Sequence, residues 1–402
     1  MENTVLFLHG ALVRTSRLLL EGLSAYAASH GMHVLNICPP RGADAKYLRD
    51  IADFWEAIGI VVDCGAEKSM PLPAAASDMA AVLIDLDPQK RTALFAAAKH
   101  ARARRIGFVN ADSSAFARMA ADVLLSHDFA SYAYVSAYSR HHWSEQRRET
   151  FRQMVTTAGG DFHVFDGVHQ ETGSAEHSHR LGTWLQSLPK PCGLLAANDR
   201  IAALVLHAAK HHNVDVPGML SVIGIDNDEM LCENLTPSLS SIQPDFFRGG
   251  YLAGELLAAI RDGKAIGITP VMYGSKRFVQ RLSTRRIKRQ MPSVRIALDF
   301  IRSNVARGIS TSDVLPILGG SRRSAEKRFR AATGKSILAE IIDVRFEKLL
   351  PLLEQSRISL GALAGQTGFT SENQLQRQFK ARFGMTLTAY RKSRISPQDF
   401  NR

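Results

Sequence analysis

Cysteine is scarce. The 402 residues hold four, Cys38, Cys64, Cys192 and Cys232, far apart and in no CxxC pair. That spacing excludes a disulfide framework, and since two of the four lie in or beside apolar strand-like runs, buried free thiols in a reducing compartment are expected. Long apolar runs are missing as well. No stretch reaches the roughly 18 residues of a membrane span, and the N-terminus carries neither a cationic region ahead of its short apolar run nor a small-residue cleavage site. A cytoplasmic protein that does not enter membranes is expected. Histidines are present, but His141, His142, His163, His169, His177 and His179 fit no zinc framework. The run Asp226-Asn227-Asp228-Glu229 lacks the glycine and distal glutamate of a calcium loop. With no phosphate-cradling glycine loop and no GxSxG elbow, no cofactor, metal or enzymatic nucleophile is expected.

Acidic residues are scarce in the last third. Residues 276–402 hold 26 Lys+Arg against 9 Asp+Glu, a net +17, while residues 1–275 hold 24 against 29, a net −5. The chain's +12 therefore belongs to its C-terminal part, where a polyanion would bind. In that part Ser359 caps an apolar helix, Gly368 ends it, and a second helix follows from Thr370 or Ser371. Leu375, Phe379 and Phe383 form its inward stripe, which leaves Glu372, Asn373, Gln376, Arg377 and Lys380 outward. Amides and guanidinium groups make paired hydrogen bonds to purine edges in a major groove, so this face is a candidate reader of bases. The pattern occurs twice. Ser310 caps a helix through Leu318, Gly319-Gly320 turns, and a basic helix follows with Ser321, Arg322, Arg323, Lys327 and Arg328 exposed and Ala325 and Phe329 inward. A helix from Ser336 to about Glu354 joins the pair.

These residues, SRRSAEKRFRAATGKS and then GFTSENQLQRQFKARFGMTLTAYR, resemble the DNA-binding domain of the AraC-type family. The resemblance implies double-stranded operator DNA as partner, with RNA polymerase and a second copy of the chain beside it.

The first 275 residues alternate apolar runs with helical patterns, which makes βαβ units, parallel sheets and two lobes. In such sheets a ligand sits outside the carboxyl ends of the strands. Ala196-Ala197-Asn198-Asp199, Val222 to Asn227 and Leu239 to Ile242 fall at such places and resemble the effector domain of LacI-type regulators and periplasmic sugar-binding proteins. Carried over motif by motif, the resemblance implies ligand contacts from Asp112, Arg147, Asn198 and Asp226, and also from Arg17 and Asp199. Carboxylate, amide and guanidinium groups suit a sugar, whose hydroxyls both donate and accept. On spacing alone Asp226 is equally a turn residue and Asn198 a helix cap, while Trp143 either stacks on a sugar face or packs the core.

The expected fold class is an α/β two-lobed periplasmic-binding-protein-like domain plus an all-α C-terminal domain with two helix-turn-helix units. The effector domain is placed at 1–282, with crossovers near 136–140, 241–244 and 272–278. A basic linker follows at 283–291, and the DNA-binding domain at 292–402. The combination resembles xylose operon regulators and implies an activator of a sugar-catabolic operon that answers to a xylose-like pentose. The alternative from another class is a sugar-binding protein whose basic tail holds DNA without sequence preference.

Overall fold

The structure is a computed structural model. It describes residues 3–40, 42–65, 79–97, 105–137, 141–166, 174–264, 268–285, 292–355 and 358–395. The chain forms two compact units. One comprises residues 1–215, 219–229 and 240–280, the other residues 216–218, 230–239 and 281–402. The main boundary lies between 280 and 281, two residues before the expected 282, and the second unit also takes two short pieces from the middle of the chain.

In the first unit, β1 (Asn3–Leu8), β2 (Met32–Ile37), β3 (Ala57–Asp63), β4 (Ala80–Ile84), β5 (Ile106–Ala111) and β11 (Val271–Tyr273) form a six-stranded sheet in the order β11-β5-β4-β3-β1-β2. A second six-stranded sheet holds β6 (Ser131–Val135), β7 (Phe162–Phe165), β8 (Cys192–Ala196), β9 (Leu220–Ile225), β10 (Ser240–Pro244) and β12 (Ser275–Val279) in the order β12-β10-β9-β8-β6-β7. All pairings are parallel except β10 with β12. Runs such as AAVLI and LSVIGI are buried along their whole length, as strands covered on both faces must be.

The covering helices are α1 (Arg14–Ser29), α2 (Ala45–Phe54), α3 (Pro88–Ala97), α4 (Ser113–Leu125), α5 (His142–Thr157), α6 (Ala175–Ser187), α7 (Asp199–His211) and α9 (Phe246–Arg261), while the short α8 (Glu229–Asn234) belongs, from Met230 on, to the second unit. The pair α1 and α9 touches backbone to backbone. A Cβ on Gly22 would lie 1.9 Å from the Phe247 carbonyl oxygen and one on Gly250 1.8 Å from that of Leu19, so only glycine fits at this crossing.

The path between the sheets corrects one expectation. The first crossing lies between β5 and α4, at 111–113, and not near 136–140. Helix α4 buries Phe116, Ala117, Ala120, Ala121 and Leu124 and leads into β6 of the second sheet, so the chain has already changed lobes 25 residues earlier. The other crossings lie after Pro244 and at Gly274 between β11 and β12.

The second unit is helical: α10 (Pro292–Asn304), α11 (Thr311–Leu318), α12 (Arg322–Thr333), α13 (Ile337–Gln355), α14 (Leu360–Gln366), α15 (Glu372–Phe383) and α16 (Leu387–Ile395). It has two apolar cores. Val294, Leu298, Ile301, Val314, Ala325 and Phe329 fill the first, and Leu363, Leu375, Phe379 and Leu387 the second. Helix α13 serves both, giving Ile337, Ile341 and Val344 to the first and Phe346, Leu349 and Leu353 to the second. Leu282 and the buried Arg281 also belong here; Arg281 pairs with Glu233 at 3.0 Å and donates to the Leu239 carbonyl at 2.9 Å.

Candidate ligand cleft and nucleic-acid-reading helices

In the first unit polar side chains collect at the carboxyl ends of strands, where the apolar ladder stops and the next helix begins. Arg147 on α5 is buried and donates to the Ala197 carbonyl after β8 at 2.6 Å. Its guanidinium lies 4.7 Å from the ring of Trp143, one turn earlier, and 5.5 Å from that of Phe116 on α4. Trp143 also stacks on His141, at 5.1 Å between ring centroids. Asp226, after β9, has φ +117, a backbone that a non-glycine residue rarely keeps without a local reason. Burial pushes its carboxyl well above the usual range, and the Arg147 guanidinium pulls the other way.

The opposite lobe supplies groups absent from the motif reading. Asp85, after β4, accepts from the Ala111 N–H at 2.6 Å and the Tyr273 hydroxyl at 2.7 Å, and burial raises its pKa to about 6. Asp63, at the end of β3, accepts from Ser16 Oγ at 2.6 Å and from the Gly65 N–H at 3.1 Å, and burial raises it too. Arg14 donates to the Asp226 carbonyl at 3.1 Å and lies 3.7 Å from Glu229. Arg17, three residues later, is exposed, whereas Arg14 is the arginine of α1 that reaches Asp226.

Several buried polar atoms at these strand ends have no hydrogen-bond partner within the protein: His9 Nδ1, Asn110 Oδ1, Ser113 Oγ, Ser136 Oγ and Arg147 Nε. A group left so carries a desolvation cost of about 1–3 kcal/mol until something pairs with it.

The remaining expected residues divide. Asp112 and Asn198 cap α4 and α7, accepting from the Ala115 N–H at 2.8 Å and the Ile201 N–H at 3.0 Å. Asp199 is buried with both carboxylate oxygens engaged, one by Ser241 Oγ at 2.6 Å and one by the Asp228 N–H at 2.8 Å. It braces the loop that carries Asp226 against β10, a use that explains its type without a ligand. Among the described residues no group of three or more side chains is placed to hold a metal ion, and no helix is long and apolar enough to cross a membrane.

In the second unit both helix-turn-helix units form. The Ser310–Asp313 capping box starts α11, and Gly319 and Gly320, both at positive φ, turn the chain into α12, which Ser321 caps through the Ser324 N–H. Ala325 and Phe329 face the core, which leaves Ser321, Arg322, Arg323 and Lys327 exposed. A groove of about 960 Å³ runs past Arg322, Arg323, Lys327 and Arg330 to Thr370 and Gln374. In the second unit of the pair Gly368 makes the turn at φ +80, and Ser371 caps α15. Asn373, Gln376, Arg377 and Lys380 line a depression of about 490 Å³, and Gln376 is held by Glu372 at 2.8 Å.

The structure corrects the expectation that Arg328 is exposed. Arg328 does not present its guanidinium outward. It donates to the Leu318 carbonyl at 2.6 Å, to the Gly319 carbonyl and to Ser324 Oγ at 2.8 Å, satisfying the open end of α11. Arg281, just ahead of the expected linker, is tied to Glu233, and Arg285 within it makes a two-pronged pair with Glu340 at 2.5 and 2.8 Å. Residues 286–291 lie outside the described residues.

Comparison with known proteins finds matches in both parts of the chain. Residues 121–284 match the periplasmic binding protein-like domain, and residues 316–393 match a helix-turn-helix domain. The xylose operon regulatory protein of Escherichia coli (strain K12) is 31% identical over 250 residues, 62% of this chain and 64% of the relative's length. That of Haemophilus influenzae is 28% identical over 287 residues, 71% of this chain and 74% of the relative. The solved structure of a xylose-binding transcription activator superposes with a TM-score of 0.58 at 24% identity, covering 98% of both chains, which establishes the shared fold.

Proposed function

We propose that this chain, built of a periplasmic binding protein-like domain and a C-terminal helix-turn-helix domain, is a sugar-responsive transcription regulator that binds a specific double-stranded DNA site. One observation carries the reading: the same chain holds unpaired buried polar atoms near strand ends, Arg147 Nε among them, and two exposed basic or amide-bearing helices behind glycine turns. The first suits a ligand rich in hydroxyls and the second suits base edges in major grooves. The relatives are named for the xylose operon, so a pentose is the first ligand to test. Asp112, Arg147, Asn198 and Asp226 bind it, with Asp85 and Arg14 from the opposite lobe. Activation of a catabolic operon through RNA polymerase, action as a dimer and a cytoplasmic location complete the proposal.

Asp226 stands four residues before Met230, where the chain enters the unit that holds the readers. A ligand that favours one arrangement of Asp226 thereby biases the segment that follows it. By linkage, sugar must change DNA affinity and DNA must change sugar affinity by the same factor. The test is calorimetric titration of D-xylose and other pentoses into the full chain, with and without a duplex selected from a random library. Sugar affinities should differ between the two titrations, and Asp226→Ala should weaken sugar binding by about ten- to a hundredfold while leaving sugar-free DNA binding unchanged. Equal affinities in the two titrations would instead support a sugar binder with an incidental DNA-binding tail.

A further inference from the structure

Helix α13 carries two charged residues that each hold both helix-turn-helix units at once. Asp343 is largely buried, and each of its carboxylate oxygens meets a different unit. Oδ2 pairs with Lys335 Nζ at 2.5 Å, in the turn that ends α12, and Oδ1 pairs with Arg382 Nη1 at 2.5 Å, near the end of α15. Arg382 also lies 5.7 Å from the ring of Phe346 on α13, which fixes where its guanidinium sits.

Two residues on, Arg345 does the same with its own chemistry. It is buried, it donates to the Ile309 carbonyl ahead of α11 at 2.9 Å, and its guanidinium lies 5.4 Å from the ring of Phe369, in the turn before α15. Positions two apart on a helix point about 200° from each other, so the two residues act on opposite sides of α13. A single bridge would leave each reader free to roll about its contact. Bridges on opposite sides block rolling in both directions.

From this geometry we propose that Asp343 and Arg345 are positioning residues that set the separation and relative rotation of the two reader helices, and so the spacing of half-sites that the chain accepts. The inference rests on the reading of two helices on one duplex. Readers on one face must enter successive grooves about 34 Å apart, and each added base pair moves one half-site by about 3.4 Å along the axis and about 35° around it. A rigid pair therefore tolerates few spacings, whereas a loosened pair accepts several.

The experiment uses the full chain and a duplex obtained by selection from a random library, rebuilt with one or two base pairs added to or removed from the segment between its half-sites. Wild type should lose affinity by about tenfold for each base pair of misplacement, the scale of one lost charge-assisted contact. Asp343→Asn should flatten that dependence to within about threefold while keeping the base preferences inside each half-site. Lys335→Gln and Arg382→Gln, each on the surface and each cutting one arm, should flatten it in part, and Asp343→Glu should restore most of it. A variant that merely destabilised the domain would lower affinity for every spacing by one factor, and that result, or an unchanged spacing curve in all of the variants, would overturn the assignment. A selection that returns only single half-sites would overturn the two-reader reading and this inference with it.

Discussion

At the scale of the residue, Asp85 shows how the first unit is built for something other than stability. Its carboxyl is buried against Tyr273 and the Ala111 N–H, and its pKa is raised to about 6. A carboxyl whose folded pKa lies above its unfolded value favours the folded state most fully at pH below the unfolded value, near 4, and that contribution is lost as pH rises through 6. At neutral pH the charge is a burden on the fold. Asp85→Asn should therefore stabilise the sugar-free protein at pH 7 by about 1–3 kcal/mol and remove part of the slope of stability between pH 4 and 6. Urea unfolding across that range reads both effects. Sugar affinity should fall in the same variant, because the amide gives a ligand hydroxyl a weaker acceptor than the carboxylate does. Neither Asp85 nor its partner was legible in the sequence. Tyr273 stands 188 residues away and arrives through β11, a three-residue strand too short to announce itself. Arg147 and Asp226 were legible because a motif surrounds each. Arg14 carries no such motif, and it opens α1 ahead of the helix's apolar pattern.

At the scale of the element, the alternation of apolar runs with helical patterns was enough to announce βαβ units and parallel sheets, since buried parallel strands leave a dense signal. The crossing at 111–113 was not legible, because α4 reads as the same amphipathic helix whichever sheet it covers. The helix-turn-helix units were legible through their glycines and caps. What pattern alone does not reveal is which outward arginine is already engaged. Arg328 stands on the same basic helix as Arg323 and Lys327, yet its donors close the end of α11. Arg328→Ala should lower the stability of the second unit by about 1–2 kcal/mol and leave the slope of log affinity against log salt as it is in wild type. Arg323→Ala or Lys327→Ala should leave stability alone and, where the side chain meets a phosphate, reduce that slope by about one. Salt titrations of the three variants, with melting curves beside them, separate the roles.

At the scale of the whole molecule, the reader unit is not the C-terminal third of the chain. It holds Glu233, paired with the buried Arg281 and 3.7 Å from Lys348, and Ser238, whose N–H donates to the buried Asp299. Leu282 lies in its first core, ahead of α10. A piece comprising 291–402 would lack Leu282, Arg281 and Arg285, leaving a hole beside Val294 and Leu298 and the Glu340 carboxylate buried alone. Cavities and unpaired buried charges of this kind cost about 2–5 kcal/mol each. The 282–402 piece, which regains Leu282 and Arg285, should therefore melt well above the 291–402 piece, and the two should match if Leu282 and the Arg285–Glu340 pair contribute nothing. The interlacing also bears on how such proteins can be recombined. A chain whose second unit begins at a clean linker can trade that unit for another as a cassette, by one cut and one join. Here a graft at the linker would strand 216–218 and 230–239 in front of a foreign surface, so a working hybrid needs those two patches rewritten to suit the incoming reader. Effector and reader are for that reason expected to change together over generations, residue against residue, along a seam that no single breakpoint in the gene would follow.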